Sequence, residues 1–374
     1  MYKRIVLNNS LSFKERLKNL VRYYRMRRSA RIQWKKAFDR VLSINPQHNY
    51  PLDKSIEKAH REYWKPFKRR INLSTFRISS RISGIVDRKY VPEEIFLTDL
   101  EQILNPTPAV RYFSYKSLLS SWFSGNIFPR DYFHNIDGKY FDNNLDPISI
   151  NKVDEIAGTI SYPVVMKPNR DSYGGENIYF PANKPELLQL LENNQDFLVQ
   201  EKIMNHSFYR QFNDHGINTL RVNLYRSFKT NEWHIITITL RMGVAGSLDN
   251  LHSGGIAVGV NKFGYLNGYG IDRYASIYDK HPDNEVTFDK QIPDFEGLRK
   301  FALGIANKVF YARIIALDVC YDSESCWRAI EVNINDTTIS FLGQYHGTTL
   351  FGDFTDEVHE YCLKNHWALG SAKH

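Results

Sequence analysis

Apolar and polar positions change rhythm along this chain. Between residues 13 and 43 the apolar side chains recur at helical spacing, with Leu17, Leu20, Val21, Tyr24 and Met26 as candidates for one side of a helix. Pro46, Pro51 and Pro66 interrupt that pattern, so residues 1–95 read as several helices, without a strand–helix–strand unit. Residues 96–160 mix short helical runs with loops; a helix-like run starts at Lys116, and Gly138 reads as a turn. From about residue 161 the rhythm shortens to that of strands. Strand-like runs cover 162–167, 177–180, 197–204, 219–225, 233–241, 313–321 and 329–334, with a helix opening at Pro185. The pattern divides the chain at 1–95, 96–160, 161–208 and 209–374 and predicts an α+β fold.

Two of these strands carry an acid constellation. Side chains two apart on a strand share a face, so Glu331 and Asn333 point together. A turn centred between Glu324 and Ser325 sets Asp318 directly opposite Glu331. Facing carboxylates repel and weaken a sheet, and a divalent cation between them removes the conflict. Oxygen donors completed by an amide carbonyl suit magnesium better than zinc or copper. The plainer alternative is a hairpin with two acids on its wet face, which the apolar flanks at 313–317 and 329–334 argue against.

A second constellation lies on another hairpin. Thr219, Arg221, Asn223 and Tyr225 share a strand face, and a turn centred on Asn231 sets Arg221 opposite Arg241. Paired guanidiniums need an anion between them or water above them, and the planar fork of arginine fits phosphate oxygens. Lys167 ends a short apolar strand, and the loop after it holds Ser172, Gly174 and Gly175. Paired glycines let backbone N–H groups approach phosphate, although they also make a good hairpin turn. Glu201 and Lys202 end the next strand either as adenine contacts or as edge solubilisers. Asp249, Asn250, Gly254 and Gly255 form a turn with small residues; His206, His215 and His252 read as polar loop residues, since no pair has metal spacing.

Composition sharpens the picture at the N-terminus. The net charge of +8 conceals a division: residues 1–90 carry 24 Lys and Arg against 6 Asp and Glu, leaving −10 for the rest. The basic segment, interleaved with Tyr23, Tyr24, Trp34, Phe38, Tyr63, Trp64 and Phe67, is either a solvated helical unit or a docking surface for an anionic partner. Membrane lipid, an acidic glycan and a nucleotide sugar all fit; no recognisable DNA or RNA module supports nucleic acid. Three cysteines without metal spacing, no run of 18 apolar residues and no long apolar stretch at the N-terminus lead us to expect a cytoplasmic protein, whose basic segment allows peripheral contact at the inner membrane face.

In order along the chain, Val164-Val-Met-Lys167-Pro-Asn, Gly174-Gly175, Val199-Gln-Glu201-Lys202, Asn218-Thr219-Leu-Arg221, Arg241-Met-Gly243, Asp249-Asn250, Gly254-Gly255, Asp318, Glu331-Val-Asn333 and Gln344 resemble the ATP-grasp superfamily of carboxylate–amine ligases. The resemblance spans roughly residues 110–350 and is strongest to the sugar-transfer-associated branch found with polysaccharide biosynthesis, which implies contact with glycan-assembly enzymes. It implies two α+β subdomains sandwiching ATP. Lys116 and Lys167 would bind phosphates, and the loop of Ser172, Gly174 and Gly175 would close over them. Glu201, Lys202 and Met204 would line the adenine, Met204 through its backbone. Asp318, Glu331 and Asn333 would hold Mg2+, Arg241 would reach the γ-phosphate, and Arg221 or Arg241 would stabilise the developing oxyanion. The implied activity is ADP-forming amide synthesis between a small-molecule or glycan carboxylate, a sugar uronic acid, and an amine such as an amino acid or amino alcohol. A peptide or protein acceptor is the same-chemistry alternative; a nonenzymatic nucleotide-binding protein with a basic arm is the other. Two features depart from the superfamily pattern. Ala316 stands where relatives carry an arginine before the first metal acid, and the basic helical segment replaces the usual N-terminal α/β domain.

Overall fold

The computed structural model describes residues 1–106, 108–170, 177–247, 254–335 and 343–370. Its N-terminal part is helical: α1 (Tyr2–Val6), α2 (Phe13–Ile44), α3 (Lys54–Trp64) and α4 (Ser74–Ser83). Helix α2 starts on a capping box in which Ser12 and Glu15 bond each other's backbone N–H. It runs to the Asn45-Pro46 stop and is about 48 Å long. Short α5 (Glu93–Ile95), a π-helical turn (Phe96–Leu100), α6 (Glu101–Leu104) and α7 (Leu119–Trp122) follow.

The inward side of α2 differs from the expected one. Tyr23, Arg27, Ala30, Trp34, Phe38 and Val41 are buried, whereas Leu17, Val21 and Tyr24 are exposed. Aromatic and small residues fit the sheet beneath, and that partner surface was invisible to local periodicity. Buried Asp99, in the π-helical turn, fastens the helices. Arg27 Nη2 lies 2.6 Å from its carboxylate, Tyr23 Oη donates at 2.8 Å, and His366 Nε2 lies at 2.9 Å. Burial alone would raise the Asp99 pKa; Arg27 and then His366 hold it below the ordinary carboxylate value. One carboxylate thus ties the beginning of the chain to its end.

A four-stranded antiparallel sheet in the order β2-β1-β4-β3 comprises β1 (Asp131–Ile136), β2 (Lys139–Asp142), β3 (Val164–Pro168) and β4 (Phe197–Glu201). Helices α8 (Ile150–Thr159) and α9 (Lys184–Asn193) cover one face, where Phe133, Val153, Met166, Leu187 and Val199 pack together. The expected strand at 177–180 reduces to a bridge between Met166 and Tyr179.

After α10 (Ser207–Arg210), a seven-stranded antiparallel sheet runs in the order β11-β10-β5-β6-β7-β8-β9. Its strands are β5 (Thr219–Arg226), β6 (Trp233–Met242), β7 (Ile256–Val260), β8 (Leu266–Ile271), β9 (Ile277–Tyr278), β10 (Ile314–Tyr321) and β11 (Trp327–Asn333). On one face Leu220, Val222, Leu240, Val258, Leu317 and Val319 pack against α11 (Phe295–Ala306). The other face is polar at its centre and capped on two sides. Trp64, Phe67, Ile95 and Leu100, with Val358 of α12 (Thr355–Lys364), cover Tyr225 and Ile314. Trp34, Ile78 and Tyr345 cover Ala257 and Ile271. Gln344 joins the caps by accepting from the Val91 N–H at 2.6 Å and donating to the Val91 carbonyl at 3.0 Å. Along the outer side of β11, the Ala329 N–H donates to the Ile127 carbonyl at 2.7 Å.

Candidate active site

Asp318 occupies the centre of the uncapped polar face. It sits on β10 opposite Glu331 of β11, the expected pairing, reached through a register shift between Asp318 and Val319, and opposite Arg221 of β5 on its other side. Arg221 grips it bidentately, Nε to Oδ1 and Nη2 to Oδ2 both at 2.6 Å. Arg241 Nη2 lies 3.2 Å from Oδ2, and Asn333 Nδ2 donates to the same oxygen at 3.2 Å. Burial alone would push this carboxyl up; the two guanidiniums override it and hold its pKa at about 2.

The expected cross-strand pairing of the arginines is corrected here. Arg221 faces Thr239, and Arg241 faces Thr219, because the turn is centred before Asn231, so the pairs lie two residues from the expected register. A displacement of two keeps every side chain on its face, so hydrophobic alternation does not reveal it. The guanidiniums still converge, with Asp318 as an anion between them. Arg241 also donates to Thr219 Oγ1 from Nε at 3.1 Å and Nη2 at 2.7 Å, and Asn223 Nδ2 donates to Thr237 Oγ1 at 2.7 Å.

The smaller sheet meets this face through lysines. Lys116 Nζ pairs with Glu331 at 3.1 Å. Its backbone is clipped to the end of β3: Lys116 N donates to the Asn169 carbonyl at 2.8 Å and Ser117 N to Asn169 Oδ1 at 2.9 Å. Lys167 is 6% exposed and makes no hydrogen bond or ion pair among the described residues. Burial, and then the neighbouring Lys116 charge, lower its pKa to about 8, against smaller raising effects of Glu331 and Asp131. A buried ammonium in that state would be stabilised by an added anion.

Glu201, expected at an adenine site, accepts from Arg328 of β11 at 2.6 Å and from the Arg130 N–H at 2.9 Å, and so bridges the two sheets. Lys202 lies 5.5 Å from the Phe180 ring centre. The Met204 side chain is exposed, and its carbonyl accepts from Ser323 N–H at 2.9 Å. Ser172, Gly174, Gly175, Asp249, Asn250 and His252 lie outside the described residues. The structure therefore brings together Lys116, Lys167, Arg221, Arg241, Asp318, Glu331 and Asn333, and sets Glu201, Lys202 and Met204 at the far end of β4 and just beyond it.

Two carboxylates in register with an amide suit a hard cation that takes most of its remaining ligands from phosphate and water. Among the described residues no group of three His, Cys, Asp or Glu side chains could hold a metal ion.

Several residues escaped sequence reasoning. Asp131 and His134 belong to β1, which read as loop. Gln200 Nε2 donates to Asp131 Oδ1 at 2.5 Å, while Asp131 Oδ2 and both nitrogens of His134 are buried without hydrogen bonds. His346 is buried against Gly259, where a Cβ would meet its ring at 2.7 Å. Both its nitrogens lack partners, and burial lowers its pKa to about 3. No local signal marks it.

Residues 185–356, a little under half of the chain, match the sugar-transfer associated ATP-grasp family. No curated protein sequence matches the chain. Solved structures similar to it include the biotin carboxylase domain of 2-oxoglutarate carboxylase from Hydrogenobacter thermophilus, in complex with MgADP, ADP and bicarbonate (13% identity, 60% of this chain and 40% of that one, TM-score 0.38). The ATP-grasp ligase PsnB complexed with a minimal precursor is 11% identical over 69% of this chain and 63% of its own, with a TM-score of 0.40. D-alanyl-alanine synthetase A from Vibrio cholerae is 14% identical over 69% and 67%, also with a TM-score of 0.40. The chain thus spans less than two thirds of the first two proteins. No helix among the described residues is long and apolar enough to cross a membrane.

Proposed function

We propose that this protein is an ATP- and magnesium-dependent ligase that joins a carboxylate to an amine through an acyl phosphate. The observation that carries the reading is the buried ammonium of Lys167, without a hydrogen bond or ion pair among the described residues and gathered with Lys116 beside the Asp318–Glu331–Asn333 face. Lys167 and Lys116 bind phosphate oxygens. Asp318, Glu331 and Asn333 hold magnesium, which when bound neutralises phosphate charge and aligns the oxygens for in-line transfer. Arg241, held less closely by Asp318 than Arg221 is, meets the charge that develops on the transferring phosphoryl group. Glu201, Lys202 and Met204 border the adenine, and the expected role of Ser172, Gly174 and Gly175 at the phosphates falls outside the described residues.

In the first step a substrate carboxylate oxygen bonds to the γ-phosphorus, and the bond from that phosphorus to the bridging oxygen breaks, releasing ADP. In the second step an amine nitrogen bonds to the acyl carbon, phosphate leaves with the C–O bonding pair, and the amine gives up a proton. The family's sugar-transfer association supports a sugar uronic acid as the carboxylate and an amino acid or amino alcohol as the amine, in polysaccharide biosynthesis. The reading also places the protein in the cytoplasm.

ADP release is measured with ATP, magnesium, a panel of uronic acids and a panel of amines, with mass spectrometry of the products. We expect ADP and an amide to appear together. Asp318→Asn should reduce the rate by about a hundredfold or more. ADP released at the native rate by that variant would overturn the metal assignment. Nucleotide binding without ADP release for any pair would leave a binding protein in place of a ligase.

A further inference from the structure

Helix α2 presents two apolar stripes, and only one has a partner among the described residues. The second consists of Phe13, Leu17, Val21 and Tyr24, exposed by 75%, 51%, 43% and 58%. At about 100° per residue these four fall within about 80° of one another around the helix. Ile32, 57% exposed, continues the same side two turns farther on. Arg16 Nη1 donates to the Val6 carbonyl at 2.9 Å, so the end of α1, with exposed Val6 and Leu7, lies against the first turns of α2.

Lys14, Lys18 and Arg25 lie beside this stripe, and Arg28 and Arg31 follow in line with it beyond Tyr24. Lys14, Lys18, Arg25, Arg28 and Arg31 are exposed and form no ion pair among the described residues. The two acids of the helix are engaged elsewhere: Glu15 in the capping box and Asp39 with Lys35. An exposed apolar row beside unneutralised cations is the pattern of a helix lying in the plane of a membrane interface, apolar side chains in the acyl boundary and cations at the headgroups. Nucleic acid would use the cations but has no use for Leu17 and Val21.

We propose that this outer face of α2, with the end of α1, docks the protein on the surface of an anionic phospholipid bilayer. The proposal does not depend on the ligase reading. The test is co-sedimentation of the full-length protein with vesicles of phosphatidylcholine alone, or of phosphatidylcholine with phosphatidylserine, at low and high salt. Binding is expected only to the anionic vesicles, weakening as salt screens the charges. The double variant Leu17→Ser/Val21→Ser should reduce partitioning about tenfold, as should Lys14→Glu/Lys18→Glu. All four positions are exposed, so both variants should keep the native circular dichroism and any ADP-forming rate in solution. Equal binding to both vesicle types, binding to neither, or unchanged binding by the variants would overturn the proposal. So would a dimer in solution that Leu17→Ser/Val21→Ser makes monomeric without affecting lipid binding, because the stripe would then be a self-association surface.

Discussion

Lys167 is the residue at which the site's chemistry is most readily tested. Burial, and then the Lys116 charge, bring its folded pKa to about 8, below the usual value of 10.5. A phosphate would restore the charged form and raise that pKa. Nucleotide binding between about pH 8 and 10 should therefore take up a proton, and affinity should fall as pH rises through that window. Calorimetry in two buffers of different ionisation enthalpy measures the uptake, and Lys167→Met should abolish it while weakening ATP about tenfold or more. The sign for stability follows the same linkage: between about 8 and 10.5 the unfolded chain binds more protons, so stability should rise with pH there. The sequence made Lys167 legible because a lysine ends an apolar strand. It did not reveal that Arg221 and Arg241 would clasp Asp318, since which anion lies between two arginines depends on the strand across from them.

At the level of elements, Asp318 faces Glu331 as expected, but through a register shift between Asp318 and Val319, since the pairs nearer the turn centre on Glu324. The Arg221–Arg241 pair was misread because its turn is centred before Asn231, and the resulting two-residue displacement leaves no mark on alternation. Strands β1 and β2 were missed: Asp131-Tyr-Phe-His-Asn-Ile mixes buried polar and apolar residues, because one face packs on helices and the other on the site. Gln344 is a tractable element-scale test. It satisfies both backbone groups of Val91, so Gln344→Leu should strand them and cost about 1–3 kcal/mol. Urea denaturation should report that loss with an unchanged slope.

For the whole molecule, Asp99 is the tie between helix α2 and the segment at His366. Asp99→Asn would leave the buried Arg27 without its counter-charge, at a cost of about 3–5 kcal/mol. Hydrogen exchange should then show α1 and α2 losing protection before either sheet does. Because the Asp99 pKa is lowered, its contribution is present above the unfolded carboxylate value and fades as pH falls through the folded one. The basic segment was recognisable as helical from its sequence, but the side it turns inward was decided by a sheet more than two hundred residues away.

The bond from Ala329 to Ile127 lies on the outer side of β11, and at the opposite margin β9 has only two residues. A long, flat strand left open at either margin would invite another chain to add to the ladder. With one rim shielded and the other cut short, concentrated protein should resist cross-β aggregation until the segment around Ile127 peels away.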